Sequence, residues 1–163
     1  MMLFVMLGIV NCANLTDGID ALAGSVALAI GVVILVLSIN SDTDAPILGA
    51  LMIGAALAFL LFNLNPARLF MGDSGSLLFG ALAIGAAFSL EHPLWILILG
   101  IAYIIEGVSV VVQVVSYQVR KKRVFKMAPL HHHLELCGMH ENTISYLGFL
   151  ITLLASALLI FIR

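Results

Sequence analysis

Charged residues are scarce in this sequence. They make up 10% of its 163 positions, where soluble domains typically carry about 25%. Hydrophobic residues make up 63%, and a soluble domain of about 150 residues still leaves roughly a third of its surface in water. The pairing excludes an ordinary water-soluble domain and leaves the bilayer as solvent for the excess. Cysteine is almost absent. Cys12 and Cys137 are the only two, which excludes a disulfide framework and leaves them as bland core or loop residues. The opening Met1-Met2-Leu3-Phe4 has no basic run and no small-residue cleavage site, so no secretory signal peptide is visible. Internal repeats and low-complexity linkers are lacking too. Residues 1–163 therefore read as one helical membrane domain.

A spanning helix needs about 20 apolar residues to cross roughly 30 Å of hydrocarbon. Stretches 21–39, 47–64, 94–117 and 144–162 qualify. Stretch 77–90 has 14 residues and needs its flanks, and stretch 3–13 has 11. At about 1.5 Å per residue the latter covers barely half the core, as an interfacial segment or the tail of a helix that begins earlier. The expectation is an all-α integral membrane protein with about five transmembrane helices and a partial N-terminal one. The run Arg120-Lys121-Lys122-Arg123-Val124-Phe125-Lys126 sets orientation by the positive-inside rule. Counting crossings back from it puts Arg68 inside as well, so six of seven basic residues share the cytoplasmic side. Segments 11–20, 63–76 and 120–142 then share that face, with 11 of the 16 charged residues and four of the five histidines. A site for a polar substrate belongs there. The basic run serves as a topology signal and anionic-lipid contact. Without an aromatic-interleaved platform it does not indicate nucleic acid.

The first segment holds Asn11, Asn14, Asp17 and Asp20. A helix end followed by a turn, with Asp17 or Asp20 capping the next helix, accounts for one of these. Residues three apart on a helix end share a face, so Asn11 with Asn14, and Asp17 with Asp20, can point together. Oxygens aimed at one spot suit Mg²⁺, a sugar or a base edge. In the second segment, Gly72-Asp73-Ser74-Gly75 superficially resembles a serine-protease nucleophile region, but the flanks do not fit. Asp73, Ser74 or Ser76 can cap the helix that follows. Glycines also let backbone approach a phosphate, and a helix start favours an anion. Asp73 there suits Mg²⁺ accompanying a pyrophosphate.

The third segment carries His131-His132-His133-Leu134-Glu135. Consecutive histidines lack zinc-site spacing, although His131 with Glu135 could reach one ion. Beside five basic residues, imidazoles suit donation to phosphate or acid–base work. Three in a row cannot all reach one ligand, so one is expected to be structural. Glu106 lies inside stretch 94–117, where an acid is costly and functional by default. With Gln113 two turns on, it reads as a helix-packing hydrogen bond, a lining of a lipid-substrate groove, or a transporter proton relay.

Taken in order, residues 14–23 (Asn-Leu-Thr-Asp-Gly-Ile-Asp-Ala-Leu-Ala), Phe62-Asn63 with Pro66-Ala67 and Phe70–Leu77, and Met127–Glu135 resemble the signature loops of the MraY family of phospho-N-acetylmuramoyl-pentapeptide transferases. These are polyprenyl-phosphate hexose-1-phosphate transferases. The Ala-Pro-Leu-His-His-His form is closer to this family than to relatives that transfer N-acetylglucosamine phosphate. The resemblance runs end to end and implies Mg²⁺-dependent transfer of phospho-MurNAc-pentapeptide from UDP to undecaprenyl phosphate, giving lipid I and UMP. It implies that Asp73 binds Mg²⁺ with Asn14. Asn14, Leu15, Asp17, Asp20, Asn63 and Phe70 would form the uridine pocket, and His131, His132 and His133 would contact phosphate or sugar. It further implies a multi-pass protein of the bacterial inner (plasma) membrane in contact with membrane lipid, and a homodimer.

The family has about ten spanning helices, and its other half carries a catalytic Asp-Asp pair with a nearby Lys. That motif does not occur here, and Asp42 and Asp44 fall on the outer side. The chain thus resembles the C-terminal half, starting midway through a helix. An incomplete or split gene, or a start Met chosen too late, would each give this. The expectation is that the chain alone is inactive without its N-terminal half. A non-catalytic nucleotide- or partner-binding subunit, and a small transporter using Glu106, are the alternatives.

Overall fold

In the computed structural model, which describes residues 2–162, every regular element is helical. The helices are α1 (Met2–Thr16), α2 (Leu22–Ser38), α3 (Ala45–Asn63), α4 (Gly72–Ser89), α5 (Ile96–Leu99), α6 (Ile101–Arg120), α7 (Leu130–Leu136) and α8 (Glu141–Ile162). A single 3₁₀ turn, Pro93–Trp95, precedes α5. Helices α3, α6 and α8 are long and apolar enough to cross a membrane. Helix α2, with 17 residues, rises about 25 Å, and α1, with 15, about 22 Å. Helix α4 starts at Gly72 and extends stretch 77–90 to 18 residues, but its added turn is polar and it is not among the helices apolar enough to cross. This is the all-α integral membrane protein expected from the composition.

Helix α2 is the centre of the bundle. Val26, Ala27, Ala29, Ile30 and Ile34 are fully buried, so it is apolar around its whole circumference. It packs on α3 and α8, while α1 packs on α4 and α6. Lipid tails are as apolar as leucine, so membrane helices associate through close contact of small residues. Gly49 of α3 illustrates this. A Cβ there would lie 2.9 Å from the backbone N of Leu35 and 3.1 Å from the carbonyl O of Gly31. The outward faces of the outer helices remain apolar, with Leu61, Val119, Leu154 and Phe161 more than half exposed. Water would not tolerate that surface, whereas hydrocarbon matches it.

Stretch 94–117 differs from the single span expected. Pro93 opens the 3₁₀ turn, and the path breaks again at Gly100 (φ −90°, ψ 21°) before α6 begins. Gly100 sits where a Cβ would meet Ile96 O at 3.0 Å and Ile9 Cδ1 at 3.4 Å. Helix α6 ends where Lys121 turns left-handed (φ 53°) and its N–H reaches Tyr117 O. The segment after it is no plain loop. Pro129 leads into α7, which carries all three consecutive histidines.

Alternation of the helices sorts the connections to two ends. One end gathers the α1–α2 turn, the α3–α4 loop, the basic run, α7 and the start of α8, tied by hydrogen bonds between Asn14 and Asp73 and between Asp20 and Asn65. At the other end Ser41, Thr43, Glu91, His92 and Trp95 line a cavity of about 280 Å³.

Candidate active site

Asn14 sits near the end of α1, where its Nδ2 donates to Asp73 Oδ1 at 3.0 Å and to Ser76 Oγ at 2.9 Å. Helix α4 thus delivers its first-turn acid to the end of α1, 59 positions on in the chain. No side chain caps α4. Ser76 instead bonds back to Gly72 O and Asp73 O within its own turn. Asp17 joins the group from the α1–α2 turn. Burial pushes its carboxyl up to about 6, a backbone hydrogen bond from Gly72 opposes that, and the charge of Asp73 adds to it. Two carboxylates and an amide therefore converge at the start of α4. Leu15 and Phe70 are exposed nearby in sequence, Phe70 at 75%.

Other residues of the sequence-derived set go elsewhere. Asn11 does not point with Asn14, because its Nδ2 donates to Leu7 O of its own helix. Asp17 and Asp20 diverge as well, since residues 17–21 form a turn outside the helices, where three-apart residues share no face. Neither aspartate caps α2. Its flanking residue Ala21 is left-handed (φ 65°) and carries no side-chain cap, and its N–H donates to Asn63 Oδ1 at 2.9 Å. The other end of that buried amide donates to Leu69 O at 2.8 Å. Both ends of Asn63 are thus occupied in bracing the α3–α4 loop against α2. Asp20 accepts from Asn65 Nδ2 at 3.0 Å and from the Ala67 N–H at 2.9 Å.

The three histidines face three environments. His131 is fully buried. Its N–H donates to Glu106 Oε2 at 3.2 Å, and its Nδ1 lies 3.1 Å from the same oxygen, too poorly aligned for a hydrogen bond. Glu106 therefore has an imidazole beside it, supplied by α7. On its far side the imidazole abuts Gly18, where a Cβ would collide with Nε2. His132 is part-exposed and shares a 2.7 Å contact from Nδ1 to Glu135 Oε2, so Glu135 pairs with His132 and not with His131. His133 Nδ1 accepts the Lys126 N–H at 3.1 Å. All three thus meet partners within the fold, His131 by burial and His132 and His133 by side-chain hydrogen bonds, where one was expected to be structural. Among the described residues no three His, Cys, Asp or Glu side chains gather as a metal cluster.

Gln113 is not part of a relay with Glu106. Its Oε1 accepts the N–H groups of Val124 and Phe125, and its Nε2 donates to Phe125 O. That buckle holds the basic run beside α7. Arg120, Lys121, Lys122 and Arg123 stay exposed, a positive field suited to anionic ligands.

The model of glycosyl transferase family 4 matches residues 1–91. The chain belongs to glycosyl transferase family 4. A phospho-N-acetylmuramoyl-pentapeptide-transferase of Carboxydothermus hydrogenoformans is 42% identical over 153 residues, covering 93% of this chain and 47% of that protein. Proteins of the same name from Bacillus thuringiensis (strain Al Hakam) and Bacillus cereus (strain AH187) are 42% identical over 159 residues, covering 94% of this chain and 49% of each. The chain spans about half the length of the curated relatives it matches. The family segment, residues 1–91, contains Asn14, Asp17 and Asp73. Asn65, Glu141 and Ser145, which tie the loops together, escape a sequence reading because their partners lie 45 to 125 residues away.

Proposed function

We propose that this chain presents the uridine, diphosphate and Mg²⁺ face of a phospho-N-acetylmuramoyl-pentapeptide transferase. The reaction moves phospho-MurNAc-pentapeptide from its UDP carrier to undecaprenyl phosphate. An oxygen of the lipid phosphate attacks the sugar-bearing phosphorus, the bond from that phosphorus to the bridging oxygen breaks, and UMP leaves with the bridging oxygen. Lipid I is the other product. The observation that carries this reading is the meeting of Asn14 and Asp73 at 3.0 Å with Asp17 beside them.

Mg²⁺ is bound through oxygens, commonly one or two carboxylates with waters and substrate phosphates completing its shell. Asp73 with Asn14 fits that donor chemistry, with Asp17 as a second carboxylate close by. When bound, the ion neutralises charge that develops on the diphosphate. Asn14 supplies an amide carrying both a carbonyl oxygen and donors. Leu15, Asp17, Asp20 and Phe70 would bound the uridine, with Phe70 offering an exposed aromatic face and Asn63 holding the loop that carries it. His132, its Nδ1 on Glu135, keeps Nε2 for a phosphate or sugar oxygen. His131 and His133 orient α7 behind it. The six basic residues at this end support its placement at the cytoplasmic face of the bacterial inner membrane.

The chain has no Asp-Asp pair at this end, so turnover requires a second, N-terminal half. UMP release from the UDP-linked precursor, with undecaprenyl phosphate and Mg²⁺, tests this. Purified chain alone should show none, co-expression with the N-terminal half of a relative should restore it, and Asp73→Asn should abolish the restored rate. Nucleotide binding without transfer after complementation would instead indicate a non-catalytic subunit.

A further inference from the structure

Asp20 is gripped from every side. Its N–H donates to Glu141 Oε2 at 3.2 Å, and its carbonyl accepts from Ser145 Oγ at 2.7 Å. Its Oδ2 accepts from Asn65 Nδ2 and the Ala67 N–H at 3.0 and 2.9 Å. Asn65 Nδ2 is shared, lying 3.3 Å from the same Glu141 oxygen. Glu141 opens α8 and Ser145 lies one turn on, so both anchors come from the last helix. One oxygen, Oδ1, has no hydrogen-bond partner among the described residues, and it is held in place by all the others.

We infer that Glu141 is a positioning residue, which with Ser145 fixes Asp20 and the α3–α4 loop so that Asp20 Oδ1 faces a ligand as a preorganised acceptor. The inference rests on the proposed function, in which Asp20 belongs to the nucleoside pocket. The physical reason is the cost of freedom. Residues 17–21 form a turn outside the helices, and an acceptor that must be ordered on binding weakens affinity by the ordering it requires. Glu141 does that ordering in advance, through the Asp20 N–H and Asn65. A carboxylate oxygen so held favours a base that presents an N–H at its edge, as uracil does, over cytosine, which presents an unprotonated ring nitrogen there.

Two measurements on the detergent-solubilised full chain test it. Amide hydrogen exchange reads the grip itself. Glu141→Ala should speed exchange at Asp20 and Ala67, while Glu141→Gln, whose amide oxygen still accepts both donors, should leave it near the unsubstituted rate. Unchanged exchange in Glu141→Ala would overturn the inference. Calorimetric titration with UDP and with CDP, each with Mg²⁺, reads the consequence. Glu141→Ala should weaken UDP binding about tenfold, the equivalent of one charge-assisted hydrogen bond, and narrow the preference for UDP over CDP, with Glu141→Gln restoring both. Equal losses in the two variants, or an unchanged base preference, would reject a positioning role. If the unsubstituted chain binds neither nucleotide, the proposed function fails, and the exchange result still decides whether Glu141 sets the turn. Should Glu141→Ala not fold, Ser145→Ala, which removes the bond to Asp20 O, supplies the same two readouts.

Discussion

Asp17 has opposing influences acting on one carboxyl group. Burial outweighs the Gly72 hydrogen bond, and the Asp73 charge reinforces it, so the group titrates near 6 instead of at its usual 3.8. A carboxyl whose folded value is raised favours the protonated state in the fold. Its contribution to stability is complete below about pH 4 and disappears as pH rises through about 6. Thermal unfolding of the detergent-solubilised chain should therefore fall in midpoint between pH 4 and 7. Asp17→Asn should flatten that part of the profile, and Mg²⁺ should raise the midpoint at pH 7 more in the unsubstituted chain than in the variant. An unaltered profile in Asp17→Asn would show that another group governs it. Gly18, one residue on, matters for space. A Cβ there would run into the buried imidazole of His131, so Gly18→Ala must displace either the turn or the ring. A loss of about 1–3 kcal/mol is expected from such overpacking, read as a lower denaturation midpoint.

Among elements, α7 is the one that the amino-acid pattern conceals. Seven residues with three polar imidazoles carry no helical signature on their own. The helix persists because Glu106, buried in α6, accepts the N–H of His131, one of the donors that a helix start leaves unpaired. Glu106→Ala leaves that N–H buried without a partner, at a cost of about 1–3 kcal/mol. Glu106→Gln should cost less, because its oxygen still accepts. A transporter relay would instead make the two substitutions equally damaging to transport. The basic run depends on α6 too, through the Gln113 buckle to Val124 and Phe125. Gln113→Ala should raise the rate of tryptic cleavage at Lys121, Lys122 and Arg123 several-fold with little effect on the far end of the bundle. Equal cleavage rates would mean that the segment is held by its other contacts, such as Ser116 Oγ to Lys122 O.

At the scale of the whole molecule, alternate crossing brings three separated polar segments to one end. Single-cysteine variants at Asp17, Asp73 and His132, made in a chain with Cys12 and Cys137 replaced, should all label from the same side of a sealed vesicle. Labelling from opposite sides would dismantle the site. The spans themselves were legible in one dimension. Apolar runs of bilayer length need no partner to be recognised, and α2, α3 and α8 agree with stretches 21–39, 47–64 and 144–162 to within a few residues. The breaks at Pro93 and Gly100 divide stretch 94–117, which hydropathy alone reads as one continuous run. The meeting of Asn14 with Asp73 was expected only from the family resemblance, since 59 positions of sequence separate them. That one histidine would be structural was legible, but which one, and the duties of Asp20 and Asn63, were not, since a polar side chain looks the same whether it waits for a ligand or braces a loop.

The amino-acid sequence alone determined that this chain is an all-helical membrane protein and where its apolar runs lie, because hydrophobic length is a property of contiguous residues. Only the tertiary structure decided which of its polar groups remain open. A hydrogen bond is satisfied by whatever donor or acceptor packing brings within about 3 Å, and at Asp20, Asn63 and His131 the partner comes from a different helix or loop.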